Sequence, residues 1–241
     1  MFESRKTNEV RGDEFMRTYL SGKVIDIGAG EDLVCEGAER FDLDEGDANC
    51  VTRYRKTESY DAVHSSHCLE HMFDPVRALG DWWSLIKPHG YLVLVVPDED
   101  LYEQGFWPSR FNDDHKWTFR FNKKETWSPV SIDIERAVAA LPGAEVISVS
   151  RQDSNYDYRL QTRHGQKHLD LQRFSFIRKS FDLVTDFLRR VLRRLGMKES
   201  VREAFLKRLE FKVFGTPIDQ TLGEALAQIQ VVARKLPNTA N

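Results

Sequence analysis

The sequence predicts an α/β fold built on a doubly wound, mostly parallel sheet, with a helical segment inserted late in the chain. Three observations carry this. Short apolar runs alternate with stretches of helical periodicity, the pattern of strands separated by crossover helices. One run, Tyr91 to Val96, is apolar throughout, as in a strand buried on both faces of a parallel sheet. The run Lys23 to Ile27 leads straight into Gly28-Ala29-Gly30, a strand feeding a tight turn.

The elements follow in order. Met1 to Ser21 is a polar lead-in with a short helix over Glu14 to Leu20. Lys23 to Ile27, Arg40 to Leu43 and Tyr60 to Ser65 read as strands. Leu69 to Ile86 has helical periodicity, with Leu69, Met72, Val76, Leu79, Trp83 and Ile86 on one side. Lys87-Pro88-His89-Gly90 ends that helix before the Tyr91 to Val96 strand. Pro97 to Pro129 is a long polar and aromatic loop, and loops of that length in a compact domain are commonly functional; Trp107 and Trp117 favour an ordered cover over a site. Ile134 to Leu141 reads as a helix and Glu145 to Ser150 as a strand. A basic, mainly helical insert runs to about Phe214, then a helix over Thr221 to Ala227 and a last edge strand over Ile229 to Ala233. The organisation expected is a core over 1–154 with an active-site loop at 97–130, an insert over 155–218, and a closing helix and edge strand over 219–241. Only ten residues separate Gly30 from Phe41, near the minimum for a parallel crossover, and Leu43 to Tyr60 leaves little room for a strand plus a helix. A trimmed sheet is expected.

Composition narrows the function. With 241 residues, 41% apolar, 30% charged and a net charge of −3, the chain matches a soluble globular domain and neither a disordered nor a nucleic-acid-directed protein. Cys35, Cys50 and Cys68 are too scattered for a disulfide framework or a CxxC metal site and suit a reducing cytoplasm. No leader and no apolar run of about 20 residues is seen, so a cytoplasmic protein is expected. Arg159 to Lys212 holds fifteen Lys/Arg and six Asp/Glu, a local +9, leaving −12 elsewhere. That segment has a different character from the rest.

The glycine turn Asp26-Ile27-Gly28-Ala29-Gly30 lets a cofactor lie close to the backbone at the carboxyl ends of the strands. A dinucleotide would call for a third glycine at the helix start, where Leu33 stands. Asp26 suits a cofactor with a cationic amino-acid end. In Phe41-Asp42-Leu43-Asp44, the carboxylate at the end of the second strand can accept hydrogen bonds from both hydroxyls of a ribose. The third element is Tyr60-Asp61-Ala62-Val63-His64-Ser65-Ser66-His67-Cys68-Leu69-Glu70-His71.

Together with Gly46-Asp47-Ala48 and Leu85-Ile86-Lys87-Pro88-His89-Gly90-Tyr91-Leu92, these motifs resemble the class I S-adenosylmethionine (SAM)-dependent methyltransferases over about residues 22 to 130. Within that family the chain is most similar to the small bacterial, type-11-like branch associated with surface-polysaccharide biosynthesis. The resemblance implies a Rossmann-like sheet with an antiparallel last strand, and SAM as cofactor. It implies that Asp26, Ile27, Gly28 and Gly30 line the methionine end of SAM and that Asp42 and Leu43 take the ribose. Asp47 and Ala48 would reach the adenine edge, and Ser65 and Ser66 would pass beneath the sulfonium. The tail Asp219 to Lys235 resembles the family's closing helix and last strand. The sequence departs from the family pattern at Asp32, where a third glycine is usual.

For transfer to a hydroxyl, a general base must lie within hydrogen-bond reach of the acceptor. His67, Glu70, His71, Asp98 and Glu99 stand at strand ends, and Asp114 and His115 come from the long loop. His67 and His115 are favoured because imidazole titrates near neutrality. The acidic triplet Asp98-Glu99-Asp100 could bind an amine or polyol, or a metal by oxygen ligands, or be a solvated loop; metal dependence is not expected, for want of a convincing His/Cys/carboxylate set. In the insert, Phe181, Val184, Leu188, Val191 and Leu195 share a face beside Arg189, Arg190, Arg193 and Arg194. That face could pack on the domain, form a homodimer contact, or lie on an anionic membrane; nucleic acid is not expected, because aromatics interleaved for base stacking are lacking. The function expected is methyl transfer to a hydroxyl or amine of a small-molecule or glycan acceptor. The alternatives are a non-catalytic SAM- or nucleotide-binding module in a membrane-associated glycan assembly, and an NAD-linked enzyme.

Overall fold

The computed structural model describes residues 3–166 and 175–237, so the part of the insert at 167–174 lies outside the described residues. The chain divides into two compact units, Met1–Tyr156 with Gln220–Asn241, and Asp157–Asp219.

In the first unit, helices α1 (Glu3–Glu9) and α2 (Asp13–Tyr19) precede strands β1 (Val24–Ile27), β2 (Glu39–Phe41) and β3 (Tyr60–Ser66). Helix α3 (Pro75–Ser84), β4 (Ile86–Pro97), β5 (Thr118–Arg120), β6 (Ser131–Asp133), α4 (Ile134–Ala139), β7 (Ala144–Gln152) and β8 (Gln228–Lys235) follow. The main sheet has the order β2-β1-β3-β4-β8-β7. The first four strands run parallel, and β8 is antiparallel to both β4 and β7. The mixed α/β sheet with one reversed strand is therefore present. β5 and β6 form a separate parallel pair.

Both shortened crossovers are there. No helix joins β1 to β2, and between β2 and β3 stands only a 3-10 segment, Ala48–Arg53, with Asp47 as its N-cap. Helix α3 is shorter than its apolar period suggested. Leu69–His71 is a separate 3-10 turn, and α3 starts at Pro75, where Asp74 accepts a hydrogen bond from the Arg77 N–H. It buries Ala78, Leu79, Trp82 and Trp83, whereas Val76 is exposed. Lys87 to Gly90 does not separate α3 from its strand as a loop; it belongs to β4, with an irregular register opposite Tyr60 and Ala62.

Two further expectations are corrected. Residues 221–227 form a turn and an extended entry, not a helix. Strand β8 is interior, and β7 is the edge. Ile229, Val231 and Ala233 of β8 pack into the larger core, and Val232 into the smaller core on the opposite face, so both faces are covered. The larger core joins Ile25, Ile27, Leu92, Leu94 and Val96 of the sheet to α3, with Trp82 fully buried. The smaller one joins Val24, Ala62 and Val93 to Leu20 and Val34. Successive strand residues alternate between these two cores. Full burial of each large apolar side chain contributes about 1.5–3 kcal/mol.

The second unit contains α5 (Ser175–Arg194) and α6 (Glu199–Phe214). The rings of Phe181 and Phe214 meet edge-to-face at 4.7 Å, and Arg189 pairs with Glu203 at 3.1 Å. On the face expected to be apolar, Phe181 is therefore packed, but Val184 and Leu195 are exposed. Among the described residues, no helix is long and apolar enough to cross a membrane.

Candidate active site

The end of β1 dictates the first half of the site. Gly28 has φ +74°, and a Cβ on it would lie 2.5 Å from Cys68 Cβ, so only glycine lets the turn and the residues after β3 come together. The Gly28 N–H donates to Phe41 O at 2.8 Å, tying the turn to β2. Asp42 then closes the turn from the other side: Oδ2 accepts from the Gly30 N–H at 2.6 Å and Oδ1 from the Leu43 N–H at 2.7 Å. Beside it opens a cavity of about 310 Å³ lined by Gly28, Asp42, Leu43, Asp47 and Ala48, and by Asn49, Cys68 and Met72. Leu43 projects there as an exposed apolar side chain. The side-chain amide of Asn49 and then its backbone N–H hold the Asp47 carboxyl below the usual carboxylate range. A glycine cradle, a fixed carboxylate at a strand end and a second carboxylate beyond it fit the amino-acid, ribose and adenine parts of SAM.

Four further residues expected here lie outside that lining. Gly30 supports Asp42 and does not line the cavity. Ile27 is fully buried in the larger core. Ser65 is buried and donates to Ile27 O at 2.9 Å, latching β3 to β1, and Ser66 Oγ is buried without a hydrogen-bond partner and is outside the cavity lining. Asp26 makes a fifth. Its carboxylate is buried, accepts the Val34 N–H at 2.7 Å, and meets His64 Nδ1 at 2.6 Å. His64 Nε2 in turn faces the Arg11 guanidinium at 3.3 Å, and Arg11 donates to Gln230 Oε1 at 2.8 Å. Since arginine only donates, His64 Nε2 accepts, and Nδ1–H goes to Asp26. Burial pushes the His64 imidazole down, more than Asp26 raises it, and Arg11 adds to the lowering.

The second half of the site begins where β3 ends. His67 adopts φ +53°, a left-handed conformation costing a non-glycine residue on the order of 1–3 kcal/mol. Beside residues 67–71 is a second cavity of about 170 Å³ lined by Glu70, Tyr102, Asn112, His115, Thr221 and Gln228, with His67 and His71 shared between the two cavities. Of the candidate bases, the fold brings His67, Glu70, His71 and His115 together. His67 Nε2 contacts Gln228 Oε1 at 2.8 Å, and its Nδ1 faces Glu70 Oε1 at 3.3 Å. Gln228 Nε2 donates to Thr7 and Gln152, which fixes the amide so that Oε1 must accept from His67. His115 Nδ1 pairs with Glu103 Oε1 at 2.8 Å, and His71 Nδ1 with Asp114 Oδ2 at 2.9 Å. Glu70 is fully buried, with no hydrogen bond to either oxygen. Burial pushes its carboxyl up, but the facing rings of His67, His115 and His71 outweigh that and hold it down.

Asp98 is not part of this group. It caps a turn, accepting the Asp100 and Leu101 N–H groups, and pairs with Arg151 at 2.8 Å. Burial raises its carboxyl above the usual range against the pull of Arg151. The whole acidic triplet anchors the long loop: Glu99 holds Lys123, Thr126 and Ser131, and Asp100 holds Lys123 and Trp127. Gln228 and Glu103 escaped the sequence reading. Gln228 fell between the expected closing helix and edge strand, and Glu103 becomes meaningful only once His115 folds back on it. The signal that could have found Glu70 as a hub is the spacing His67-x-x-Glu70-His71.

Residues 8–149, more than half of the chain, match the family model described as a methyltransferase domain. A comparison with curated proteins gives no match. Among solved structures, a SAM-dependent methyltransferase from Archaeoglobus fulgidus is 15% identical, covers 98% of this chain and 95% of its own, and has a TM-score of 0.47. A SAM-dependent methyltransferase from Thermotoga maritima is 15% identical over 97% of this chain and 88% of its own, with a TM-score of 0.42. The YcgJ protein of Bacillus subtilis is 13% identical over 93% and 96%, with a TM-score of 0.43.

Proposed function

The chain belongs to the methyltransferase-domain family and is a SAM-dependent methyltransferase, and from that premise we propose that it methylates a hydroxyl or amine of a small-molecule or glycan acceptor held in the smaller cavity, with His67 as the base. The observation that carries this reading is the pair of adjoining cavities that share His67 and His71. When bound, SAM supplies a methyl group already activated on a sulfonium and leaves as S-adenosylhomocysteine. Gly28, Asp42, Leu43, Asp47 and Ala48 would hold it. Holding the acceptor in line is then the main task of the protein, and correct positioning can supply roughly 7–11 kcal/mol of barrier reduction in favourable cases.

With His67 Nε2–H committed to Gln228, the basic nitrogen of the neutral ring is Nδ1, on the side facing Glu70. It takes the acceptor's O–H or N–H proton as the new bond to carbon forms, and the adjacent buried carboxylate stabilises the resulting imidazolium. Tyr102, Asn112 and Thr221 offer an aromatic face and polar groups to a sugar-like acceptor, which supports a polyol or glycan. On α5, Leu183, Val184 and Phe187 are exposed beside Arg190 and Arg194, which supports a peripheral contact with an anionic membrane surface. The test is methyl transfer from labelled SAM to a panel of nucleotide sugars, lipid-linked glycans and small amines. His67→Gln is expected to lower kcat by roughly 10²–10⁴-fold on the active acceptor. An unchanged kcat would remove His67 as base.

A further inference from the structure

The cluster on the wall of the smaller cavity does more than a proton relay requires. The sequence suggested no metal, yet Glu70, His71 and His115 each offer one ligand atom, and these atoms all lie within 4.8 Å of one another. We propose that Glu70, His71 and His115 bind one divalent first-row transition cation at the acceptor cavity.

Three independent features converge. The first is the donor set, two imidazoles and one carboxylate, which suits zinc, iron(II) or cobalt(II) better than the hard cations that want oxygen alone. The second is the state of Glu70, a fully buried carboxylate with neither oxygen hydrogen-bonded, lining the cavity. A buried charge without such bonds is expensive, and a cation bound there removes the penalty. The third is the orientation of the histidines. Each ring engages a carboxylate through Nδ1, His115 with Glu103 at 2.8 Å and His71 with Asp114 at 2.9 Å. That is the outer-shell arrangement that fixes the tautomer of a metal-bound histidine and leaves Nε2 as the ligand.

Distances set what must move. Ligands at about 2.0–2.1 Å from one tetrahedral cation stand about 3.4 Å apart. His115 Nε2 and Glu70 Oε1, at 3.9 Å, must therefore close by roughly half an ångström. The other pairs, all within 4.8 Å, must close by at most about 1.4 Å, which side-chain rotation supplies. Three protein ligands leave coordination positions open toward the cavity. Given the function proposed above, an acceptor oxygen would occupy one of them beside His67, so a substrate with neighbouring oxygens is favoured over a lone amine. The metal site itself stands on the three ligands and does not depend on that role.

The experiment uses tag-free, chelator-treated full-length protein titrated with Co²⁺, read by visible ligand-field absorption and by metal content after desalting. One Co²⁺ per chain is expected, displaced by Zn²⁺. His115→Ala and Glu70→Gln should each weaken binding by about 100-fold or more, and Glu103→Gln, which alters the partner of His115 Nδ1, by roughly 10–100-fold. His115 lies outside the larger cavity, so SAM titration of His115→Ala reports whether that variant is folded. A SAM-competent His115→Ala protein that binds Co²⁺ like the parent overturns the proposal, as does a SAM-competent parent with no saturable Co²⁺ binding. A parent that binds Co²⁺ through these residues but does not bind SAM would sink the cofactor-site assignment and leave the metal site standing.

Discussion

Replacing Asp42 with alanine tests the cofactor assignment at one residue. The carboxylate sits at the end of β2 on the larger cavity, each of its oxygens already accepting one backbone N–H, from Gly30 and Leu43. Each oxygen keeps a second lone pair for a ribose hydroxyl. A hydrogen bond to a charged group contributes about 1.5–3 kcal/mol net. Because both oxygens are shared, the low end applies twice, about 3 kcal/mol, or roughly 150-fold in Kd at 1.4 kcal/mol per tenfold. Loss of the two backbone anchors can only add to this. Calorimetric titration with SAM and with S-adenosylhomocysteine separates two causes. A ribose contact weakens both ligands alike, because the ribose is common to them. A purely electrostatic role weakens SAM, which carries the sulfonium, and spares the product. A Kd within threefold of the parent for both ligands, in a protein of unchanged melting temperature, would refute the assignment of the ribose to Asp42.

Gly28→Ala should lower stability by about 1–3 kcal/mol, because its Cβ meets Cys68 Cβ at 2.5 Å; at about 2–4 °C per kcal/mol for a chain of this size, a melting curve resolves it. His64 is buried and its imidazole is pushed below the ordinary value near 6.5, so the unfolded chain takes up a proton that the folded one refuses. Its contribution is complete above pH 6.5 and is lost as pH falls from there toward the lower folded value; denaturant midpoints should show that decline, and a folded His64→Asn variant should show less of it. On α5, Phe187→Glu should reduce flotation of the protein with phosphatidylserine-containing vesicles, and no flotation of the parent at low salt would exclude the membrane contact.

What the sequence made legible was local. Gly28 announced its turn because a strand ran into two glycines, and Asp42 announced itself as a carboxylate at the end of the second strand. What stayed hidden depended on partners far along the chain. Asp26 pairs in register with His64 of β3, and its carboxylate is engaged by that ring, which in turn faces Arg11. The triplet at 98–100 looked like a solvated loop or a ligand for amines until Lys123, Ser131 and Arg151 arrived from later elements. The strand expected at the edge over Ile229 to Ala233 is interior, and it carries two buried amides, Gln228 and Gln230. Both amides are satisfied inside the protein, one by Thr7 and Gln152 and the other by Arg11. Polarity along a strand marks an edge only when the polar groups have no internal partner.

That last point gives Gln228 a role the strand pattern concealed. His67 is held in a left-handed conformation where the two cavities meet, and the bond from Nε2 to Gln228 Oε1 selects the ring nitrogen that faces Glu70. Gln228→Leu keeps the volume and the strand but removes the acceptor, leaving a buried donor unsatisfied at about 1–3 kcal/mol. If the ring rotates or changes tautomer to recover that loss, Nδ1 no longer carries the basic lone pair. Turnover should then fall by roughly 10–100-fold, the factor that the same 1–3 kcal/mol represents. Affinity for SAM should change little, because Gln228 lines the smaller cavity and not the larger one. A loss confined to SAM affinity, with kcat preserved, would mean that Gln228 shapes the cofactor side, and the assignment of the basic nitrogen to Nδ1 would fall with it.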